Sequence, residues 1–125
     1  MKAFDNEIAG TLTNLGAGDI VETMQIGLWD LQVAVPMIGS ISTAVKSTIS
    51  ISGKKYEWSD DTPNSAPYGL LVGQEIASFE LTDPYVLRMN LKSGDYVEFY
   101  SDESQYEAVV IHMGMKDGCH LMEIF

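Results

Sequence analysis

Few residues in this chain could do covalent chemistry, and their spacing decides what they can do. His112 and His120 are the only histidines and Cys119 is the only cysteine. A hydrolase or transferase needs a nucleophile, a base and an orienting group within reach of one another. His112 falls inside the apolar run Val109-Val110-Ile111-His112-Met113, and His120 opens the last extended run. Alternation therefore makes each a structural or surface histidine. Cys119 and His120 are sequence neighbours, and neighbouring side chains of a strand point to opposite faces, so they form no dyad. No serine sits in a Gly-x-Ser-x-Gly elbow. The carboxylate pairs Asp60-Asp61 and Asp102-Glu103 lie in polar stretches and read as solvated, whereas glycosidase chemistry needs a tuned pair in a cleft. Neither pair has calcium-loop spacing. Gly69 and Gly73 are followed by no lysine of a phosphate loop. Gly16-Ala17-Gly18 precedes a strand and reads as a turn. A lone cysteine supplies neither an internal disulfide nor a cysteine-based zinc site. These residues predict no enzyme, no cofactor and no metal.

The elements that would position any site are mostly strands. Alternation of period two marks residues 21–26 and Asp30-Leu31-Gln32-Val33-Ala34-Val35, which Pro36 ends. Residues 48–51 and 54–58 flank a Gly53 turn. Strands follow at 77–81 and 87–91, and the turn Lys92-Ser93-Gly94-Asp95 leads into Tyr96–Tyr100. The last strands are predicted at 108–113 and 120–125, joined by the turn Gly114 to Gly118. Residues 4–15 predict one short helix, with Asp5 as cap and Ile8, Leu12 and Leu15 on one face. Gly10, Thr11 and Thr13 weaken it. A short turn is expected at Leu70-Leu71-Val72. The expected fold is mainly β (or α+β with one short N-terminal helix), a single domain over residues 1–125. The polar, Pro-containing stretch 59–67 separates two similar halves, 19–58 and 75–113. Ile20 and Ile76, and Leu31 and Leu87, are in step, and Tyr56-Glu57 is set against Tyr106-Glu107. Each half reads as a β-meander, the two combining into one antiparallel sheet system around one core.

Charge narrows the partners. The chain has 125 residues, 18 acids against 7 Lys plus Arg, and a net charge of -11. Such a surface repels phosphate backbones and anionic membranes, so neither nucleic acid nor a membrane is expected as a partner. It steers basic proteins towards itself. The start, Met1 to Glu7, turns acidic where a secretory signal would carry an apolar core. No stretch reaches the roughly 20 apolar residues of a membrane span. A cytoplasmic location is expected.

Two resemblances add to this reading. Leu71-Val72-Gly73-Gln74-Glu75-Ile76, then Leu87-x-Met89-x-Leu91-x-x-Gly94-Asp95, then Tyr106-Glu107, resembles a family of small uncharacterised bacterial β-rich domains over residues 70–113. The chain departs from that family at its end, where Met115-Lys116-Asp117-Gly118-Cys119-His120 replaces a Gly-rich acidic tail. In size, acidity and lack of catalytic residues the chain also resembles immunity proteins of bacterial toxin–immunity loci, including contact-dependent growth inhibition systems. That resemblance implies a protein that binds one cognate toxin domain, a basic nuclease, and blocks it by steric and electrostatic occlusion.

The residues expected to carry such binding mix acids with aromatics, since tyrosine and tryptophan anchor interfaces at low entropic cost. They are Glu57, Trp58, Asp60 and Asp61 in one stretch, and Glu98, Tyr100, Asp102, Glu103, Tyr106 and Glu107 in another. The alternative expectation is a small structural or scaffold protein that self-associates through a β edge.

Overall fold

The computed structural model describes residues 3–27, 29–59, 67–101, 108–114 and 120–125, with the backbone alone at 120 and 121. Asp60, Asp61, Asp102, Glu103, Tyr106, Glu107 and Cys119 lie outside the described residues, and so does the side chain of His120.

The fold is mainly β with one helix. Helix α1 spans Ile8–Gly16. The strands are β1 (Thr23–Ile26), β2 (Leu31–Val35), β3 (Gly39–Thr43), β4 (Lys46–Ile51), β5 (Lys54–Ser59), β6 (Ile76–Asp83), β7 (Val86–Leu91), β8 (Tyr96–Tyr100), β9 (Val109–Gly114) and β10 (His120–Ile124). They form two five-stranded antiparallel sheets, β1-β2-β3-β9-β10 and β5-β4-β8-β7-β6. Alternate residues of both sheets meet in one core, which includes Leu31, Val33 and Ile41 from the first and Ile49, Leu87 and Phe99 from the second. Period-two burial, clearest on β2 and β9, is what an antiparallel sheet with one wet face requires.

The two sheets are joined where strands cross between them. β3 runs into β4 through Ala44-Val45, and β8 returns towards β9, with the Ala44 N–H donating to the Ala108 carbonyl at 2.9 Å. Thr43 is buried at this bend, and its hydroxyl accepts from the N–H groups of Val45 and Lys46. Polar groups exposed by the corner are thus satisfied locally. A second junction pairs residues 18–21 with 73–76. There the Val21 N–H donates to the Gln74 carbonyl at 3.0 Å and the Ile76 N–H to the Asp19 carbonyl at 2.8 Å.

The same plan occurs twice. β1-β2-β3 form a meander in the first sheet and β4-β5 complete the second. β6-β7-β8 form a meander in the second sheet and β9-β10 complete the first. Register repeats as well: Leu31 faces Thr43 and Val33 faces Ile41, while Leu87 faces Phe99 and Met89 faces Val97. All four residues of the second set lie 56 positions beyond those of the first.

The sequence reading needs correction in three places. Each half is divided between the two sheets and does not form a meander of its own. The counterpart of β5 is β10, because Trp58 opposite Ser47 matches Phe125 opposite Val109. Tyr56-Glu57 therefore corresponds to the end of β10, not to Tyr106-Glu107, and the second half runs to Phe125. Third, β3 is a strand that the pattern Gly-Ser-Ile-Ser-Thr hides, with one strongly apolar residue in five. Gly39 makes it possible. Its φ is +127°, and a β-carbon there would overlap the His112 carbonyl oxygen of β9.

Helix α1 closes one edge. Leu12 is fully buried, and Gly16 lets the last turn settle on Ile38 and Phe79. The Thr13 hydroxyl accepts from the Phe79 N–H at 2.9 Å and lies 3.2 Å from its carbonyl oxygen. A helix residue thus occupies the free hydrogen-bonding edge of β6, a site where strands otherwise recruit other chains. The residue that weakened the helix prediction is the one that fastens the helix to the sheet. Asp5 accepts from the Glu7 N–H, one turn before the helix proper, so it shapes the approach and is not the cap residue itself.

Candidate functional site: the outer face of the second sheet

The expected binding residues divide cleanly by strand parity. In β5 and β8, Glu57, Glu98 and Tyr100 project to the outer face of the second sheet, because they pair across β4 with Thr48 and Lys46. Trp58 is a correction. It is the neighbour of Glu57, so the pleat turns it inward, where it is 0% exposed among the core side chains. It anchors the core and is not available to a partner.

Glu98 is also not the free acid expected. It is 6% exposed at the centre of the face, where one carboxylate oxygen accepts from Arg88 Nε at 3.1 Å and Nη2 at 2.9 Å. Its other oxygen accepts from the Tyr100 hydroxyl at 3.3 Å, and that hydroxyl in turn accepts from Thr48 at 3.2 Å. Both carboxylate oxygens are occupied, so the group acts as a structural acceptor at the centre of the face. The Arg88 guanidinium stacks on Tyr96 at 4.0 Å and Lys46 lies 4.5 Å over the Tyr100 ring. Lys46 also pairs with Glu57 at 3.6 Å, and Arg88 reaches Glu80 at 3.9 Å. The last two pairs are exposed and contribute little to stability, whereas losing one partner of the Arg88–Glu98 pair would strand a buried charge.

This face therefore holds an ordered polar row, Glu80–Arg88–Glu98–Thr48–Glu57, one residue from each strand of the sheet. Arginine and tyrosine side chains are enriched among the anchors of recognition surfaces. Sequence reasoning missed Arg88, Lys46 and Tyr96. Their signal was present as cross-strand register, which becomes readable only once the strand order is known.

Among the described residues, no group of three or more His, Cys, Asp or Glu side chains is placed to hold a metal ion. His112 is exposed on β9, on the other sheet. No helix among the described residues is long and apolar enough to cross a membrane. Comparison of the chain with family models, with curated proteins and with solved structures gives no match. Fold and site together define a class, an antiparallel two-sheet β protein with a polar, aromatic outer face.

Proposed function

We infer that the chain is a protein-binding module that neutralises a cognate bacterial toxin, a basic nuclease domain, by steric and electrostatic occlusion. One observation carries this reading. Ser59 of β5 and Tyr100 of β8 both pair with Lys46, one on each side of β4. The acidic stretches that begin after Ser59 and Ser101 therefore start from the same end of the second sheet, beside Glu57 and Tyr100. In sequence, Asp60 and Asp61 follow Ser59, and Asp102, Glu103 and Glu107 follow Ser101. An acidic composition together with an arginine–tyrosine face suits a basic partner, with charge setting the approach and the aromatic face the fit.

The partner to test is a basic toxin domain, looked for first in the reading frames that flank the one encoding this chain. Co-purification with that domain is expected. Charge reversal at Asp60, Asp61, Asp102 and Glu103 together should slow association and flatten its salt dependence. Unchanged association by the quadruple variant would sink the assignment.

A further inference from the structure

Equivalent edges of the two sheets are not treated alike. In the second sheet Thr13 of α1 sits on the edge of β6 and takes the Phe79 N–H. Register identifies the matching residue of β1. Met24 faces Val33 as Phe79 faces Met89, and Met89 lies 56 positions beyond Val33. The hydrogen bonds give the same orientation independently. Across the β1–β2 turn the Gly27 N–H donates to the Asp30 carbonyl at 2.8 Å. Alternation in an antiparallel pair then turns the main-chain groups of Gln25 towards β2, and those of Met24 and Ile26 away from it. Among the described residues nothing takes these outward N–H and C=O groups. Nor is the edge guarded by charge. The edge strand β5 carries Lys54 and Lys55, and such charges discourage pairing, whereas β1 reads Thr-Met-Gln-Ile. Met24 packs in part against the core, and Ile26, on the same side of the strand, is 39% exposed. Acids stand at both ends of the edge. Glu22 and Asp30 are exposed, and neither has an ion pair among the described residues.

We propose that the β1 edge is a docking site for an extended segment of a partner protein, which adds to the first sheet as a further strand. The edge specifies the chemistry of that segment. Outward donors and acceptors on Met24 and Ile26 are what an added strand pairs with. The segment's residues beside these two share their side of the pleat, so they are two apart and apolar. Lysine or arginine belongs at each end, against Glu22 and Asp30, with about five residues between the two positions. So short an edge binds weakly through its main chain alone, and the chain's net charge of -11 favours a basic segment over others. The assignment stands whether or not the partner is a toxin.

The probe is the end-blocked peptide Lys-Val-Thr-Val-Thr-Lys, titrated into the isotope-labelled whole chain and followed by NMR. A Kd of about one millimolar or below is expected, with the amides of Met24 and Ile26 leading the response. Hydrogen exchange at those two amides should slow several-fold when the peptide is bound. The acidic analogue Glu-Val-Thr-Val-Thr-Glu should bind at least tenfold more weakly, and about 300 mM NaCl should narrow that gap. Ile26→Pro deletes one outward N–H and leaves the pairing with β2 in place, because an edge strand tolerates proline on its solvent side. It should weaken binding at least tenfold while the β1–β2 hairpin persists. Glu22→Lys should weaken the basic peptide and strengthen the acidic one, an exchange that a misfolded variant could not show. The proposal is overturned by no binding at about 5 mM peptide, or by a response confined to other strands. Equal affinity for the two peptides, wild-type binding by Ile26→Pro, or loss of the β1–β2 pairing in that variant would overturn it as well.

Discussion

The two halves of the molecule follow one strand plan, yet equivalent positions are asked to do different things. Gly39 and Asp95 occupy the same place, each opposite the end of the preceding strand: Val35 faces Gly39, and the Leu91 N–H donates to the Asp95 carbonyl. In the first half the position must vanish, because the backbone of β9 passes where a side chain would stand. In the second half it carries a carboxylate that ties three segments together. The Asp95 carboxylate accepts from the Ser52 N–H and from the Gln74 amide, both at 2.9 Å. One topology therefore tolerates opposite local solutions, and the differences between the halves show which contacts the topology itself demands.

The largest effect expected is at Gly39. Gly39→Ala should cost about 3 kcal/mol or more, from a left-handed φ plus overlap with backbone that has no room to move. Gly94→Ala makes the sharper comparison. Gly94 has a φ of +96°, but its β-carbon would meet nothing within 4 Å. It should cost about 1–2 kcal/mol, the conformational part alone. Denaturant titration of both variants separates strain from overlap, and equal costs would show that the approach of β9 is not what requires glycine at position 39.

Asp95 gives the next largest effect, and one that depends on pH. Its carboxyl is held below the usual carboxylate range, first by the Gln74 amide, then by the Ser52 N–H, with burial opposing and Ser93 adding a little. A depressed folded-state pKa means that the unfolded chain takes up the proton first. The stabilisation is complete above the unfolded value of about 3.9 and drains away as pH falls through the lower, folded value. Asp95→Asn should lose about 1–2 kcal/mol at neutral pH, since Ser52 and Gln74 donate to different carboxylate oxygens and the amide puts an NH2 against one of these donors. The gap between variant and wild type should narrow below pH of about 4. A gap that stays constant down to pH of about 2 would mean that the carboxylate is not what holds the turn.

Much of the fold was legible in the sequence, because half-buried antiparallel strands announce themselves by alternation. β2, β7 and β8 carry Leu, Val, Met and Phe on every second residue, and the turns at Gly53 and Gly94 punctuate them. β3 was illegible because its inward residues are Ile41 and Thr43, and the hydroxyl of Thr43 is satisfied only by the bend that follows it. The candidate site was half legible. Parity alone could have removed Trp58, since Glu57 and Trp58 cannot both face outward. Arg88 and Glu98 meet only through the pairing of β7 with β8, which is non-local information. The acidity of residues 57–107 was real as composition, with eleven acids and two bases. Register then neutralised the described acids at the centre of the face, and no one-dimensional count could have foreseen that.

The smallest effect runs the other way and would raise stability. Ser47 and Trp58 face each other on β4 and β5, where the other half sets Val109 against Phe125. The Ser47 hydroxyl and the Trp58 indole N–H are both buried without a hydrogen-bond partner among the described residues. Each unpaired polar atom in a dry core costs stability that an apolar atom in its place would not. Ser47→Val copies the solution of the other half and removes one of the two. It should stabilise the chain by about 1 kcal/mol, offset in part by the added methyl if the site is already full. Because Trp58 lies under the sheet and not on its face, the same substitution should leave binding of the proposed partner unchanged. Destabilisation by Ser47→Val, measured by thermal and denaturant unfolding, would mean that the hydroxyl is paired after all and that the two halves solve this contact in different ways.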